Sequence, residues 1–149
     1  MKRLLITAAL LTALGTTSVA LGAGPAPITE KVLGAAGISQ PYTIPVTKPA
    51  DVVVAKATVP PGASFGWHYH RAAVVVAVTS GTLTLYDSAD PTCTPRRYSA
   101  GHGFTERPRH IHLARNEGRK PAVVLVTYLG LTHGVNPVSY THLTLPTKA

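Results

Sequence analysis

The sequence predicts an all-β domain, a sandwich or barrel of short strands, on three observations. Thirteen Pro and thirteen Gly among 149 residues favour many turns. From Asp51 onward, short runs rich in β-branched residues alternate with turn residues. No stretch after Asp51 repeats apolar residues at helical spacing over three turns. Short strands at such regular intervals are typical of sandwiches and barrels.

The predicted strands follow one another with only short turns between them. The Ser-Gly pair at 80–81 separates two of them and indicates a hairpin with a two-residue turn. Pro41, Pro45 and Pro49 limit the preceding segment to an edge strand or an arm. The predicted strands are Val52–Val59, Ala73–Thr79, Thr82–Tyr86, Arg97–Ala100, Gly103–Glu106, Ile111–Ala114 and Val123–Leu129.

The length of 149 residues suits one domain of ordinary size. The N-terminus combines a basic start, an apolar run and small residues, which is the order of a secretory signal. We therefore expect an exported protein that is free of the membrane after cleavage at Ala20 or Ala23. The last residues form no pattern with those before them and resemble translated adapter sequence, so we expect a non-native or disordered tail. The segments are a signal peptide at 1–23, an N-terminal arm at 24–50, a β-domain at 51–134 and the tail at 135–149.

The charge distribution argues against a nucleic-acid partner. The formal charge is +8, but Lys2, Arg3 and Lys148 lie in the terminal segments, which leaves +5 for the rest. No block of Lys and Arg is interleaved with aromatic residues in the way that nucleic-acid binding favours. The mildly cationic middle of the chain is suited to attracting small anions. Cys93 is the single cysteine, so no intramolecular disulfide forms.

Two histidine pairs carry the chemistry that the sequence indicates. His68 and His70 are separated by one residue, so on a strand both imidazoles face the same side. His110 and His112 repeat this spacing beside a later predicted strand. Imidazoles from two strands that meet inside a barrel are suitable ligands for one divalent transition metal. Exposed or hydrogen-bonded histidines on a sheet are the alternative interpretation.

At these histidines the sequence resembles the cupin superfamily. The first cupin motif is Gly, five residues, His-x-His, three or four residues, Glu, six residues and Gly. The second contains Gly, Pro, His, three residues and Asn. The matching residues are Gly62, His68, His70 and Gly81 for the first motif, and Gly101 or Gly103, Pro108, His112 and Asn116 for the second. The resemblance covers Val52 to Leu129 and implies a jelly-roll barrel, or double-stranded β-helix, with a metal or small ligand in its mouth.

The resemblance implies a divalent metal ion held by His68, His70 and His112. His110 is an alternative ligand, because the interval between Pro108 and His112 departs from the usual spacing. Zn, Mn, Fe, Ni and Cu all suit such nitrogen ligands, and the sequence does not select among them.

The glutamate of the first motif is missing from its expected place, where the chain has Val74 or Val75. A branched apolar side chain cannot coordinate a cation. We therefore expect three neutral imidazoles that leave the charge of a divalent ion uncompensated by protein ligands. Loss of the metal together with the carboxylate is the alternative hypothesis.

Three more residues are candidates for contact with the metal ligands or with a bound molecule. Glu106 is a replacement carboxylate, a partner of an imidazole or a plain surface charge. Tyr86 is a packing residue or part of a polar rim. Arg115 neutralises an anionic ligand at the barrel mouth or is a solvated arginine.

Together these features predict a secreted cupin-domain protein with a histidine-rich divalent-metal pocket that binds a small molecule. The missing glutamate and the lack of a clear general base slightly favour binding without catalysis. The alternative is a metal-dependent enzyme of dioxygenase or isomerase type, acting on a small anionic or phenolic substrate. A structural protein with vestigial histidines is a third hypothesis. The resemblance also implies a homodimer, since cupins often pair through their barrel edges.

Overall fold

The computed structural model describes residues 30–44 and 46–135. The expected signal peptide at 1–23 and nearly all of the expected tail therefore lie outside the described residues. The strands belong to the compact unit Val32–Ala149. In the described ranges the strands are β1 Asp51–Val59, β2 Ser64–His68, β3 Ala73–Ser80, β4 Thr82–Asp87, β5 Arg96–Ser99, β6 Gly103–Glu106, β7 His112–Arg115 and β8 Ala122–Leu131.

Within the described residues, the strands form two four-stranded antiparallel sheets. The first sheet has the order β1-β8-β3-β6 and the second has the order β2-β7-β4-β5. Strands that are distant in sequence are neighbours in both sheets, as in a jelly roll. The predicted all-β class is confirmed. Neither described range contains a helix long and apolar enough to span a bilayer.

Apolar side chains on alternate positions of the strands fill the space between the sheets. Val74, Val76 and Val78 of β3 are buried, whereas the residues between them are only partly covered. This alternation follows from the pleat, which turns successive side chains to opposite faces. Leu83 of β4 and Val124 of β8 belong to the same core cluster. Full burial of each such side chain stabilises the fold by about 1.5–3 kcal/mol.

Gly81 forms the turn between β3 and β4. These two strands belong to different sheets, so the predicted hairpin is wrong and the turn carries the chain from one sheet to the other. Its φ of +69° lies in the left-handed region, and a Cβ at this position would lie 2.6 Å from the carbonyl oxygen of Pro121. The turn therefore requires glycine for both its backbone conformation and its close packing.

Asn116 anchors the loop that connects β7 to β8. Its side chain is fully buried, and its Nδ2 donates to the carbonyl oxygens of Val59 and Lys120, each at 2.8 Å. Its Oδ1 accepts a hydrogen bond from the backbone N–H of Gly118. The asparagine of the second motif is thus a structural residue that joins the end of β1 to this loop.

The described part of the N-terminal arm runs along one edge of the barrel. Gly37 forms an isolated parallel bridge with His102, and its N–H donates to the carbonyl oxygen of Gly101 at 2.9 Å. The N–H of Gly103 donates to the carbonyl oxygen of Gly37 at 3.0 Å. Residues 38–44 then contribute to the wall of a cavity. The arm thus forms a single bridge and serves as part of a cavity wall.

Candidate metal site

The first histidine pair lies at the end of β2 and faces the interior. His68 and His70 are both buried, whereas Trp67 and Tyr69 are only partly buried, as strand alternation predicts. The register of β2 shifts between Ser64 and Trp67, at an irregularity that contains Gly66.

The third histidine comes from the neighbouring strand. His112 begins β7, is almost completely buried and is the direct cross-strand partner of His68. The ring centroid of His68 lies 4.5 Å from that of His112 and 4.8 Å from that of His70. The three candidate ligand atoms lie within 4.8 Å of one another. This spacing allows all three imidazoles to contact one cation.

Backbone carbonyls fix the tautomers of two of these histidines. His68 Nδ1 lies 2.9 Å from the carbonyl oxygen of Gly66, and His112 Nδ1 lies 2.9 Å from that of His110. A carbonyl oxygen only accepts, so each Nδ1 carries the proton and donates it. In the neutral rings Nε2 therefore presents a lone pair, which is the form that binds metals.

A carboxylate completes the cluster. Glu106 Oε2 lies 3.1 Å from His70 Nε2, and Glu106 Oε1 lies 3.0 Å from His112 Nε2. The residue is only 8% exposed, so the hypothesis of a plain surface charge is wrong. The structure thus places a carboxylate, supplied by β6 from outside the first motif, against two of the three imidazoles.

The electrostatics of the cluster keep Glu106 ionised. Burial by itself raises the pKa of Glu106, but its close contacts with His112 and His70, which can carry positive charge, outweigh burial and lower that pKa to about 2. Burial lowers the pKa of His68. Burial also acts to lower the pKa of His112, but the nearby negative charge of Glu106 reverses the direction and raises it. The pocket thus combines an anionic carboxylate with imidazoles of unequal basicity.

The donor set fits a metal ion. His112 Nε2 is buried and, among the described residues, has no hydrogen-bond partner of acceptable geometry, although Glu106 Oε1 is only 3.0 Å away. With its Nδ1 proton directed to a carbonyl, a neutral His112 turns a lone pair towards a carboxylate oxygen. Two such acceptors repel each other unless a second proton or a cation lies between them. Three imidazoles and one carboxylate are suitable ligands for the divalent transition metals that the sequence predicts.

A cavity of about 740 Å³ adjoins the cluster. His112 and Glu106 form part of its lining, together with arm residues 38–44. Tyr98 and Phe104 contribute aromatic surface, with ring centroids 4.5 Å apart. The volume lies within the range of roughly 300–1,000 Å³ that small-molecule sites occupy.

The alternative ligand His110 is not part of the cluster. Its Nε2 lies 2.8 Å from Asp87 Oδ1, and its side chain is about one-third exposed. The reason is that β7 begins at His112, so strand alternation does not extend back to His110. Its contribution to the cluster is the backbone carbonyl that orients His112.

Tyr86 and Arg115 lie on the outer side of the second sheet, away from the cavity. The Tyr86 hydroxyl donates to Glu117 Oε1 at 2.6 Å, and Arg115 Nε lies 3.8 Å from the same oxygen. Neither residue lines the cavity. Alternation explains both positions, because Leu85 and Ala114 are the inward neighbours on their strands. The expectation that these two side chains contact the ligands or a bound molecule is wrong.

One signal for Glu106 was present in the sequence. On the predicted strand Gly103–Glu106, Phe104 is a core residue, and Glu106 follows it at the two-residue period of a strand. A carboxylate placed in phase with a core aromatic is expected to face inward. Its neighbours, however, depend on strand pairing that a single sequence does not display.

The barrel of two antiparallel sheets and its buried histidine cluster define a double-stranded β-helix protein with a candidate metal site. Residues 55–128 match the Cupin domain family. The chain belongs to the cupin superfamily, as its two motifs predicted.

Solved structures resemble this fold. The DMSP lyase DddQ from Ruegeria pomeroyi DSS-3 has a TM-score of 0.52 and 22% identity, and the match covers 68% of this chain and 47% of that chain. A conserved double-stranded β-helix protein from Klebsiella pneumoniae subsp. pneumoniae MGH 78578 has a TM-score of 0.46 and 25% identity, with 57% and 73% coverage. This chain spans about half of the lyase, and the likeness concerns the fold alone. No curated protein matches the chain.

Proposed function

We propose that this chain is an exported cupin that holds a divalent transition-metal ion and binds a small molecule beside it. The ligands are His68, His70, His112 and Glu106. The proposal depends on one observation: three buried imidazoles and one buried carboxylate converge beside a cavity of about 740 Å³. Export rests on the signal-like order of residues 1–23.

The carboxylate changes the charge of the proposed site. Glu106 offsets one of the two positive charges of a divalent ion, so the filled site keeps a net charge of about +1 before anything else binds. A buried ion with part of its charge balanced is easier to retain than one held by neutral ligands alone. The remaining positive charge favours anionic or electron-rich oxygen atoms in a bound molecule.

The residues around the ion have distinct tasks. The carbonyl oxygens of Gly66 and His110 hold two imidazoles in the metal-binding tautomer. Buried core side chains, Val74 of β3 opposite Glu106 and Tyr128 of β8 against His70, limit the access of water to the cluster. A divalent ion bound here would supply Lewis acidity towards an oxygen of the bound molecule.

Catalysis of dioxygenase or isomerase type is the second candidate function. The observation in its favour is that Glu106 and His112 belong both to the cluster and to the cavity wall. A molecule in the cavity is therefore within contact distance of the proposed metal ligands. The sequence analysis favoured binding without catalysis partly because the motif glutamate is missing. Glu106 removes that argument, because it brings a carboxylate to the cluster.

Metal analysis of the full-length chain tests the proposed function. We expect close to one equivalent of a divalent transition metal in the wild type and little in His68→Ala and His112→Ala. The matched control is His133→Ala, because His133 is highly exposed and pairs with Asp51 away from the cluster. Absence of metal from the wild type under every loading condition would contradict the proposal.

Two further measurements address the remaining parts of the proposal. A turnover screen of the metal-loaded chain with small hydroxy acids, phenols and sugars separates an enzyme from a binding protein. N-terminal sequencing of the chain recovered outside a bacterial host tests export. We expect a mature protein that begins after Ala20 or Ala23; a chain retained with Met1 intact would exclude processing.

A further inference from the structure

The charges that line the cavity are unequally balanced. Asp87 Oδ1 lies 2.8 Å from His110 Nε2, and Asp87 Oδ2 lies 3.5 Å from Arg96 Nη2. Glu106 is occupied by His70 and His112. Both acidic side chains of the cavity lining therefore already have partners.

Arg107 is a cationic side chain of the cavity lining that has no acidic partner among the described residues. It is exposed, it lines the cavity, and it directly follows Glu106 at the end of β6. Arg107 forms no ion pair with any residue that the structure describes, whereas Arg96 is paired with Asp87. A guanidinium is always charged and offers a planar set of donors that matches a carboxylate.

Apolar side chains form much of the rest of the wall, beside polar ones such as Gln40, Thr43 and Thr105. Tyr98 and Phe104 form a tilted aromatic pair, and Leu85 lies in the same lining. The arm contributes Ile38 and Ile44 to the same lining. Such a wall is suited to an aromatic or branched apolar body, which gains free energy by leaving water.

We propose that the cavity binds a small organic carboxylate with an aromatic or branched apolar body, and that Arg107 receives the carboxylate. This inference rests on the proposed function, because it concerns the cavity beside the proposed metal ion. Arg107 determines specificity in this scheme by preferring anionic over neutral molecules of the same shape. The net positive charge of a filled metal site acts in the same direction.

The test compares benzoate with benzamide, which has nearly the same shape and no charge. Binding of each to the full-length chain is measured by NMR titration, once after treatment with a chelator and once after loading with Zn²⁺. We expect benzoate to bind about tenfold or more tightly than benzamide in both forms, as charge-assisted hydrogen bonds allow. Arg107→Met should remove most of this preference, and Arg107→Lys should retain part of it.

The matched control is Arg119→Met, since Arg119 is also exposed and lies outside the cavity lining. It should keep the full preference for benzoate. Equal affinities for benzoate and benzamide in the wild type, or no benzoate binding at all, would overturn the inference. An unchanged preference in Arg107→Met would also overturn it, because the carboxylate would then be recognised by another group.

The chelator-treated sample separates this inference from the proposed function. If the chain binds no metal but prefers benzoate through Arg107, the metal site fails and the carboxylate site stands. If metal binds stoichiometrically and benzoate binds no more tightly than benzamide, the metal site stands and the carboxylate site fails.

Discussion

Val74 and Glu106 are direct cross-strand partners in the ladder between β3 and β6. Val74 is one of the two residues that stand where the cupin motif has its glutamate, and it is buried on the inner face. Directly opposed residues of an antiparallel pair share a face and have Cβ atoms about 4.5–5.5 Å apart. The carboxylate is thus supplied from the adjacent strand, at the same rung, and still reaches two of the imidazoles.

This relationship predicts that the carboxylate can be moved back across the ladder. Glu106→Gln should weaken metal binding by about tenfold or more, since the anionic ligand is lost. The double variant Val74→Glu with Glu106→Val should recover most of that loss, because it returns the carboxylate to β3. Competition with a coloured chelator measures the affinities.

Glu117→Gln is the control for the exchange, because Glu117 pairs with Tyr86 outside the cavity. It should bind metal as the wild type does. If the double variant folds and binds no more tightly than Glu106→Gln, the equivalence of the two positions is rejected.

The position of His110 gives a second prediction. His110→Ala removes the imidazole that pairs with Asp87 but keeps the backbone carbonyl that orients His112. We expect its metal affinity to stay within about threefold of the wild type, whereas His112→Ala should lose about tenfold or more. Isothermal titration with Zn²⁺ distinguishes the two variants. Equal losses of Zn²⁺ affinity in the two variants would indicate that His110 is itself a metal ligand.

Gly66 gives a third prediction. Its φ of +71° lies in the left-handed region, and its carbonyl oxygen accepts from His68 Nδ1. Gly66→Ala has room for the methyl group but should cost about 1–2 kcal/mol of stability through backbone strain. It should also weaken metal binding, because relaxation of the strain shifts the carbonyl that orients His68.

Gly62→Ala is the matched control for backbone strain. Gly62 also has a positive φ, +78°, and open space around its Cβ position. It should lower the urea midpoint by a similar amount and leave the Zn²⁺ affinity unchanged. A metal affinity that falls equally in both variants would mean that general destabilisation is the cause.

The depressed pKa of Glu106 gives a prediction for the metal-free protein. A carboxylate with a folded-state pKa of about 2, below its usual 4.5, stabilises the fold fully above pH 4.5. That contribution, up to roughly 3 kcal/mol, is lost as the pH falls from 4.5 through 2. Urea unfolding of chelator-treated wild type and Glu106→Gln should therefore differ most near pH 7 and converge near pH 2. A difference that does not change with pH would contradict this prediction.

Local patterns were enough to predict seven of the eight strands in the described residues and the inward-facing histidines, whereas β2 was not among the predicted strands. The two-residue period of a strand places His68 and His70 on one side wherever that strand lies, and turn residues such as Gly81 mark where strands end. The cupin motifs added the identity of the fold, which the match over residues 55–128 confirms. These properties depend only on residues that are close together in the chain.

Which side chains meet was decided by the tertiary structure. The pairing of β6 with β3 brings Glu106 beside the imidazoles, and the start of β7 at His112 leaves His110 outside. The passage of arm residues 38–44 along the barrel adds a wall to the cavity. Each of these outcomes depends on strand register or long-range packing, and a shift of one residue would turn every side chain to the other face. The sequence by itself therefore determined most of the strands, their inward faces and the superfamily, whereas the composition of the site emerged only from how the strands pair.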